Sequence, residues 1–203
     1  MSLPRLELLF PTPLVIARIE KHEEYKNKIL PLLEQEFKKN PEKSAPWSQL
    51  CHTWQLFSKD DEFYIWDQQI NKLVYDFLHY LYKYPIEEKI KIESWFNVHD
   101  QNMYQETHNH SPLTISGIYY LQLNKNSLPV TFLNPAVEEL NLIQQEYSCK
   151  EIMLNTFPNK LNISEGDLIL FPSHLKHLVV RSGCKDKLRI SYSFNVQTSH
   201  HLS

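Results

Sequence analysis

Two histidines, His108 and His110, stand one residue apart, a third, His177, follows much later, and Arg189 comes soon after it. Imidazole is the commonest side-chain ligand for transition metals. On an extended strand, residues i and i+2 project from the same face, so a His-x-His pair can grip one ion from one direction. A ligand from a distant segment would then tie two parts of a sheet together. Arg189 offers different chemistry, a planar guanidinium fork that matches a carboxylate through two parallel hydrogen bonds. Each reading has a plainer competitor. Ten histidines are present, so a chance His-x-His on a wet surface is not rare. A strand arginine can equally pair with one of the protein's own acids.

Convergence of these residues requires strands. From Ile90 onward the apolar pattern takes a period of two, with strands expected at Lys91–His99, Tyr104–His110, Thr114–Leu123, Val130–Leu133, Asp167–Phe171, Leu175–Arg181 and Lys187–Val196. Asn124–Ser127, Glu165-Gly166-Asp167 and Ser182-Gly183-Cys184-Lys185 mark turns. In the last strand Arg189, Ser191, Ser193 and Asn195 share one face, and Ile190, Tyr192, Phe194 and Val196 the other. The 114–123 strand divides the same way, Ser116, Ile118, Tyr120 and Gln122 against Ile115, Gly117, Tyr119, Leu121 and Leu123. Such faces belong either to a sheet with a wet outer surface or to a barrel whose polar faces line a cavity. If Tyr104–His110 is one unbroken strand, Tyr104, Glu106, His108 and His110 all face one space. The apolar run 167–171 and the turn at Pro172-Ser173 would return His177 to that space, whereas His174, of opposite parity, reads as a turn residue. His22, His52, His79, His200 and His201 read as surface or satisfied core groups.

The N-terminal part is mostly helical. Leu6–Phe10 and Leu14–Ala17 read as short extended pieces broken by prolines, and Tyr25, Ile29, Leu32, Leu33 and Phe37 then fall near helical spacing. Pro31 is expected to kink or split that helix. Residues 40–58 read as a loop. Ser58 with Asp61 makes a capping box for a second helix, whose stripe is Phe63, Trp66, Ile70, Leu73, Val74, Phe77 and Leu81. The stretch 134–164 reads as a long loop or lid. Helices followed by many short strands predict an α+β, mainly β fold, with N-terminal helices packed on a jelly roll. One domain is expected over residues 1–203, helical over 1–90 and a jelly-roll core over 91–197.

The composition is that of an ordinary globular chain, 42% hydrophobic and 22% charged. A net charge of -3 offers no general attraction to phosphate backbones and argues against a nucleic-acid partner. Cys51, Cys149 and Cys184 form no C-x-x-C pair and are expected as reduced thiols in a cytosolic setting. With no apolar run of membrane-spanning length and no basic-then-apolar leader, a soluble cytoplasmic protein without a membrane partner is expected. Only three glycines occur, so Gly117, Gly166 and Gly183 are expected to mark special backbone positions.

The run Ser116-Gly117-Ile118-Tyr119-Tyr120-Leu121 after His108-Asn109-His110, the segment Gly166-Asp167…Phe171-Pro172-Ser173-His174-Leu175…His177, and Arg189-Ile190-Ser191…Phe194-Asn195 resemble the 2-oxoglutarate/Fe(II)-dependent oxygenases. The resemblance is to the small bacterial and phage branch related to prolyl 4-hydroxylases, to which Phe10-Pro11-Thr12-Pro13 is also similar, and its motifs span roughly residues 94–196. It implies a double-stranded β-helix, a distorted jelly roll of cupin-like form, that uses Fe(II) and 2-oxoglutarate. His108 and His177 are similar to the two triad histidines, and Arg189 corresponds to the partner of the far carboxylate of 2-oxoglutarate. Tyr120 resembles a tyrosine that donates to the same carboxylate, Asn97 would approach the near end of the cosubstrate, and Ser191 is counted with them.

In one respect the chain departs from that pattern. The usual triad is His-x-Asp/Glu…His, and His110 stands where the carboxylate belongs. Glu106 is the only acid between Asp100 and Glu138 and remains the alternative third ligand; ligation by three histidines is the expectation. The implied reaction is oxidative decarboxylation of 2-oxoglutarate with O2 to succinate and CO2, coupled to hydroxylation of an unidentified C–H in a peptidyl proline or a small amino acid or amine. Two other readings stay open: a cupin-like three-histidine metalloenzyme independent of 2-oxoglutarate, and a non-catalytic ligand-binding jelly roll. A homodimer formed through the added elements is also left open.

Overall fold

A computed structural model describes residues 12–39, 49–52, 61–101, 103–123, 129–133, 161–181 and 188–198. In chain order the elements are β1 (Val15–Arg18), α1 (His22–Lys39), β2 (Gln49–His52), α2 (Asp61–Tyr82), β3 (Ile90–His99), β4 (Gln105–His108), β5 (Ile115–Gln122), β6 (Thr131–Phe132), β7 (Asp167–Pro172), β8 (His177–Val179) and β9 (Arg189–Thr198). The strands form a six-stranded sheet, β1-β7-β5-β9-β3-β2, and a three-stranded sheet, β4-β8-β6. Every pairing is antiparallel. Two such sheets with this strand order make the double-stranded β-helix, with α1 and α2 on the outside of the larger sheet.

The period-two pattern explains the layering. Ile190, Tyr192, Phe194 and Val196 of β9 turn outward and pack with Ile29 and Leu33 of α1 and Ile70, Val74, Phe77 and Leu78 of α2 in one buried cluster. Each large apolar side chain so buried contributes about 1.5–3 kcal/mol relative to exposure. The opposite face of the large sheet looks toward the small sheet, where Ile118, Tyr120, Ile169 and Phe171 form a second cluster with Phe132 and Leu175. All eight residues of β5 are buried, so the sheet has no wet outer surface there.

Helix α1 runs through Pro31 without being split. Proline removes one backbone donor to the Asn27 carbonyl. Ile29 and Leu33, flanking it, are both fully buried, and that packing offsets the lost bond. Glu23 and Glu24 in the first turn complement the helix dipole. Leu32, expected on the apolar stripe, is 37% exposed. In α2 the stripe is as expected over Ile70, Val74 and Phe77, with Leu78 added. The side chains of Phe37, Phe63 and Trp66 and the cap at Ser58 lie outside the described residues, as do Leu6–Phe10, residues 134–160, the turns at Asn124–Ser127 and Ser182–Lys185, Gly183, Cys149 and Cys184.

One segment read as loop is strand. Gln49–His52 pairs with β3, opposite Trp95, Phe96 and Asn97. These residues lack an alternating apolar pattern of their own, and the pairing comes from the open backbone edge that β3 presents.

Two glycines serve special positions. Gly166 adopts φ 91°, in the region that disfavours other residues. Gly117 lies opposite Phe194 across β5 and β9, and the phenyl ring covers it. A Cβ at Gly117 would stand 2.1 Å from Phe194 Cζ. Gly117→Ala is therefore expected to lower stability by ~1–3 kcal/mol through overpacking. Urea unfolding checks this, and an unchanged midpoint would contradict the tight seat of the ring.

Candidate active site

The small sheet brings the histidines together. Strands β4 and β8 pair with His108 and His177 as Cα partners. His110 lies just past the end of β4, where its amide donates to the Ser173 carbonyl at 2.8 Å. Ring centroids are 5.0 Å apart for His108 and His110, 4.2 Å for His108 and His177, and 5.2 Å for His110 and His177. One nitrogen from each ring lies within 4.8 Å of the others.

The expected unbroken strand Tyr104–His110 does not form. Only Gln105–His108 is strand, and the register shifts between Gln105 and His108. That irregularity breaks the parity from which Glu106 was placed in the cavity. Gln105 lines the cavity instead, and Glu106 is exposed. The Glu106 carbonyl, rather than its carboxylate, serves the site by accepting a hydrogen bond from His108 Nδ1 at 2.8 Å. Strand β8 is also shorter than expected, His177–Val179 within Leu175–Arg181.

Hydrogen bonding sets the tautomers. A carbonyl can only accept, so His108 Nδ1 carries the proton and leaves the Nε2 lone pair free to ligate. His177 repeats the device, donating from Nδ1 to the Leu175 carbonyl at 2.9 Å. Outer-shell acceptors of this kind hold metal-binding imidazoles in place. At His110 the neighbour of Nδ1 is the Asn195 amide nitrogen, at 3.3 Å. A half-turn of that amide, which has the same shape either way, would present oxygen to Nδ1 and free Nε2 as in the other two rings.

Burial, reinforced by the neighbouring His108, lowers the His110 pKa to about 4. Burial is also the main cause at His177, whose pKa falls to about 3. Both rings are neutral at pH 7, the state a metal requires. The Phe171 ring, 5.0 Å from His177, and the Phe132 ring, 6.1 Å away, shield its inner side. Three neutral nitrogen donors on two facing segments fit a transition ion such as Fe(II).

The large sheet supplies the rest of the cavity. Across β3 and β9, Trp95 faces Ser193, Asn97 faces Ser191 and His99 faces Arg189. Across β9 and β5, Ser193 faces Ile118 and Ser191 faces Tyr120. All of these side chains line one cavity with the three histidines. Arg189 is 3% exposed, and burial lowers its pKa to about 10, so it stays charged at neutral pH. Among the described residues no Asp or Glu lines the cavity. Tyr120 accepts the Val130 amide at 2.9 Å, which leaves its own proton to donate. Burial pushes the Tyr120 pKa up to about 12 and keeps that proton in place. Asn97 donates from its amide to Ser193 Oγ at 2.9 Å.

Every residue singled out for the site thus reaches it except Glu106 and Tyr104, whose ring lies against Arg181 outside the cavity. Three further residues of the cavity wall are not picked out by the sequence: Trp95, His99 and Gln105. Strand parity would have found two of them, because Trp95 and His99 share the face of Asn97. Of the remaining histidines, His22 is a buried core group whose Nδ1 shares a hydrogen bond with the Tyr119 hydroxyl at 2.5 Å while its Nε2 has no hydrogen-bond partner among the described residues, and His174 is an exposed turn residue. The His79 ring lies 3.2 Å from the Tyr84 carbonyl. The His52 side chain, His200 and His201 lie outside the described residues.

A double-stranded β-helix that gathers three imidazoles at one end of a cavity and a buried guanidinium in it has the build of a 2-oxoglutarate- and Fe(II)-dependent oxygenase. The chain belongs to that class: the family described as "Putative 2OG-Fe(II) oxygenase" matches residues 93–195, half of the chain. Its cofactor is Fe(II) and its cosubstrates are 2-oxoglutarate and O2. Membership sets aside the readings without 2-oxoglutarate or without catalysis.

Solved structures show the same fold at low identity. A prolyl-4-hydroxylase from Pseudomonas putida is 9% identical with a TM-score of 0.59, covering 92% of this chain and 93% of its own. HygX from Streptomyces hygroscopicus, with iron bound, is 10% identical with a TM-score of 0.56, covering 93% and 83%. The α-ketoglutarate-dependent carbocyclase SnoK, from nogalamycin biosynthesis, is 10% identical with a TM-score of 0.54, covering 91% and 79%. No curated protein matches the sequence. Among the described residues no helix is long and apolar enough to cross a membrane.

Proposed function

We propose that His108, His110 and His177 hold the Fe(II), and that Arg189 receives the far carboxylate of 2-oxoglutarate with Tyr120, Ser191 and Asn97 around it. The observation that carries this reading is the convergence of three ligand nitrogens within 4.8 Å of one another, in the same cavity as a buried guanidinium. When bound, the iron supplies the oxidative decarboxylation of 2-oxoglutarate to succinate and CO2 that drives oxidation of a substrate C–H. The chain's own contribution is positional. Two backbone carbonyls hold His108 and His177 with Nε2 presented, Arg189 and Tyr120 fix the cosubstrate's orientation, and Phe132 and Phe171 exclude water from the inner side.

The substrate step is hydroxylation of a peptidyl proline or of a small amino acid or amine. The prolyl-4-hydroxylase fold neighbour supports the first of these. The helical part, 1–90, and the jelly roll, 91–197, act as one domain; their joint apolar core supports that reading. The cysteines, with no C-x-x-C pair, support action in a reducing cytoplasm.

A ligand set without a carboxylate has a thermodynamic consequence. Three neutral rings leave the ion's double charge to be balanced by the cosubstrate, so each should tighten the other's binding. Anaerobic Fe(II) titration is expected to show affinity about tenfold or more higher with saturating 2-oxoglutarate than without it. Equal affinities would contradict the shared site.

A further inference from the structure

His99 is buried to 2% exposure, lines the active-site cavity, and among the described residues has no hydrogen-bond partner at either ring nitrogen. Its place follows from the register. Trp95 lies at the metal end, its ring 6.3 Å from that of His110. Moving along β3 from Trp95 through Asn97 to His99 leads toward the rung occupied by Arg189, the Cα partner of His99. Leaving a buried donor without a partner costs stability, so a folded chain keeps one where something else will meet it. In a cavity wall that has no carboxylate among the described residues, an N–H beside a guanidinium is placed for an incoming anion.

We propose that His99 is a further donor, beside Arg189 and Tyr120, to the carboxylate that Arg189 receives, and so sets the depth at which 2-oxoglutarate sits. This rests on the assignment of Arg189 to that carboxylate. A guanidinium fork binds a carboxylate strongly but hangs on a long, adjustable stem. An imidazole N–H fixed to a neighbouring strand adds a rigid point on another side of the carboxylate and thereby helps define the position of the keto end. Burial, and then the Arg189 charge, hold the His99 pKa down to about 3. The ring is therefore neutral at pH 7 and supplies one N–H and no additional charge.

The test is anaerobic calorimetry on the Fe(II)-loaded protein with two ligands, 2-oxoglutarate and 2-oxopentanoate, which has the same five-carbon backbone without the far carboxylate. His99→Leu is expected to weaken 2-oxoglutarate about tenfold or more, the loss of one charge-assisted hydrogen bond. It should leave 2-oxopentanoate unchanged, and His99→Gln, which restores an N–H, should recover part of the loss. Equal weakening of both acids would show a merely structural role and overturn the inference. If Arg189→Ala weakens 2-oxoglutarate while His99→Leu does not, the His99 role alone fails. If neither does, the Arg189 assignment fails first.

A measurement on the unaltered chain covers the case in which His99→Leu does not fold. With Zn(II) in place of iron and 15N-labelled histidine, adding 2-oxoglutarate should produce a downfield, exchange-protected His99 ring N–H that 2-oxopentanoate does not. A ring signal indifferent to 2-oxoglutarate would overturn the proposal by itself.

Discussion

His177→Ala is expected to abolish stoichiometric Fe(II) binding and, with it, turnover. Removing outer-shell partners of metal ligands already costs ~10–100-fold in affinity, and loss of a ligand itself should exceed ~100-fold on that scale. His177 is the most buried of the three rings at 3% exposure, and its Nδ1 bond to the Leu175 carbonyl leaves Nε2 available for ligation. The substitution also opens a small void beside Phe132 and Phe171, so thermal melting of the metal-free variant must accompany the metal assay. Iron content after anaerobic loading and desalting checks the expectation. Wild-type iron retention by a folded variant would remove His177 from the ligand set. Glu106→Gln is the matched control: its side chain is exposed and away from the cavity, so iron binding should not change.

Arg189→Ala should have the second large effect, weakening 2-oxoglutarate by roughly 100-fold or more. Two charge-assisted hydrogen bonds at ~1.5–3 kcal/mol each set that scale, and a buried site keeps them from being screened by water. Iron affinity measured without cosubstrate should stay close to wild type, because Arg189 belongs to the large sheet and the three ligands to the small sheet and its flanks. Arg189→Lys should fall between the two, with the charge kept and the planar fork lost. The apparent 2-oxoglutarate requirement and direct binding both report on this. Unchanged dependence in the alanine variant would remove the assignment.

The parts of the molecule that could be read ahead of the structure are those where local pattern and tertiary environment agree. In β9, alternation alone separated Arg189, Ser191, Ser193 and Asn195 from the apolar core residues between them, because both faces of that strand are buried for different reasons. Where geometry departs from ideal strand periodicity, the same reasoning misled. The register shift between Gln105 and His108 exchanged the orientations expected for Gln105 and Glu106. Strand β2 was invisible because its partner, not its own sequence, makes it a strand. Pro31 is expected to kink or split α1, and it does not split it, because burial of Ile29 and Leu33 outweighs one missing hydrogen bond. His99 has no spacing relation to the other histidines that the sequence could show, and its significance lies in its register with Arg189 across another strand.

A crystal structure of the anaerobic complex with Fe(II) and 2-oxoglutarate tests the central claim most directly. Imidazoles from His108, His110 and His177 should all coordinate the ion, with the far carboxylate of 2-oxoglutarate on Arg189. An ion held by a carboxylate from elsewhere in the chain with His110 turned away, or a cosubstrate whose far end avoids Arg189, would contradict it.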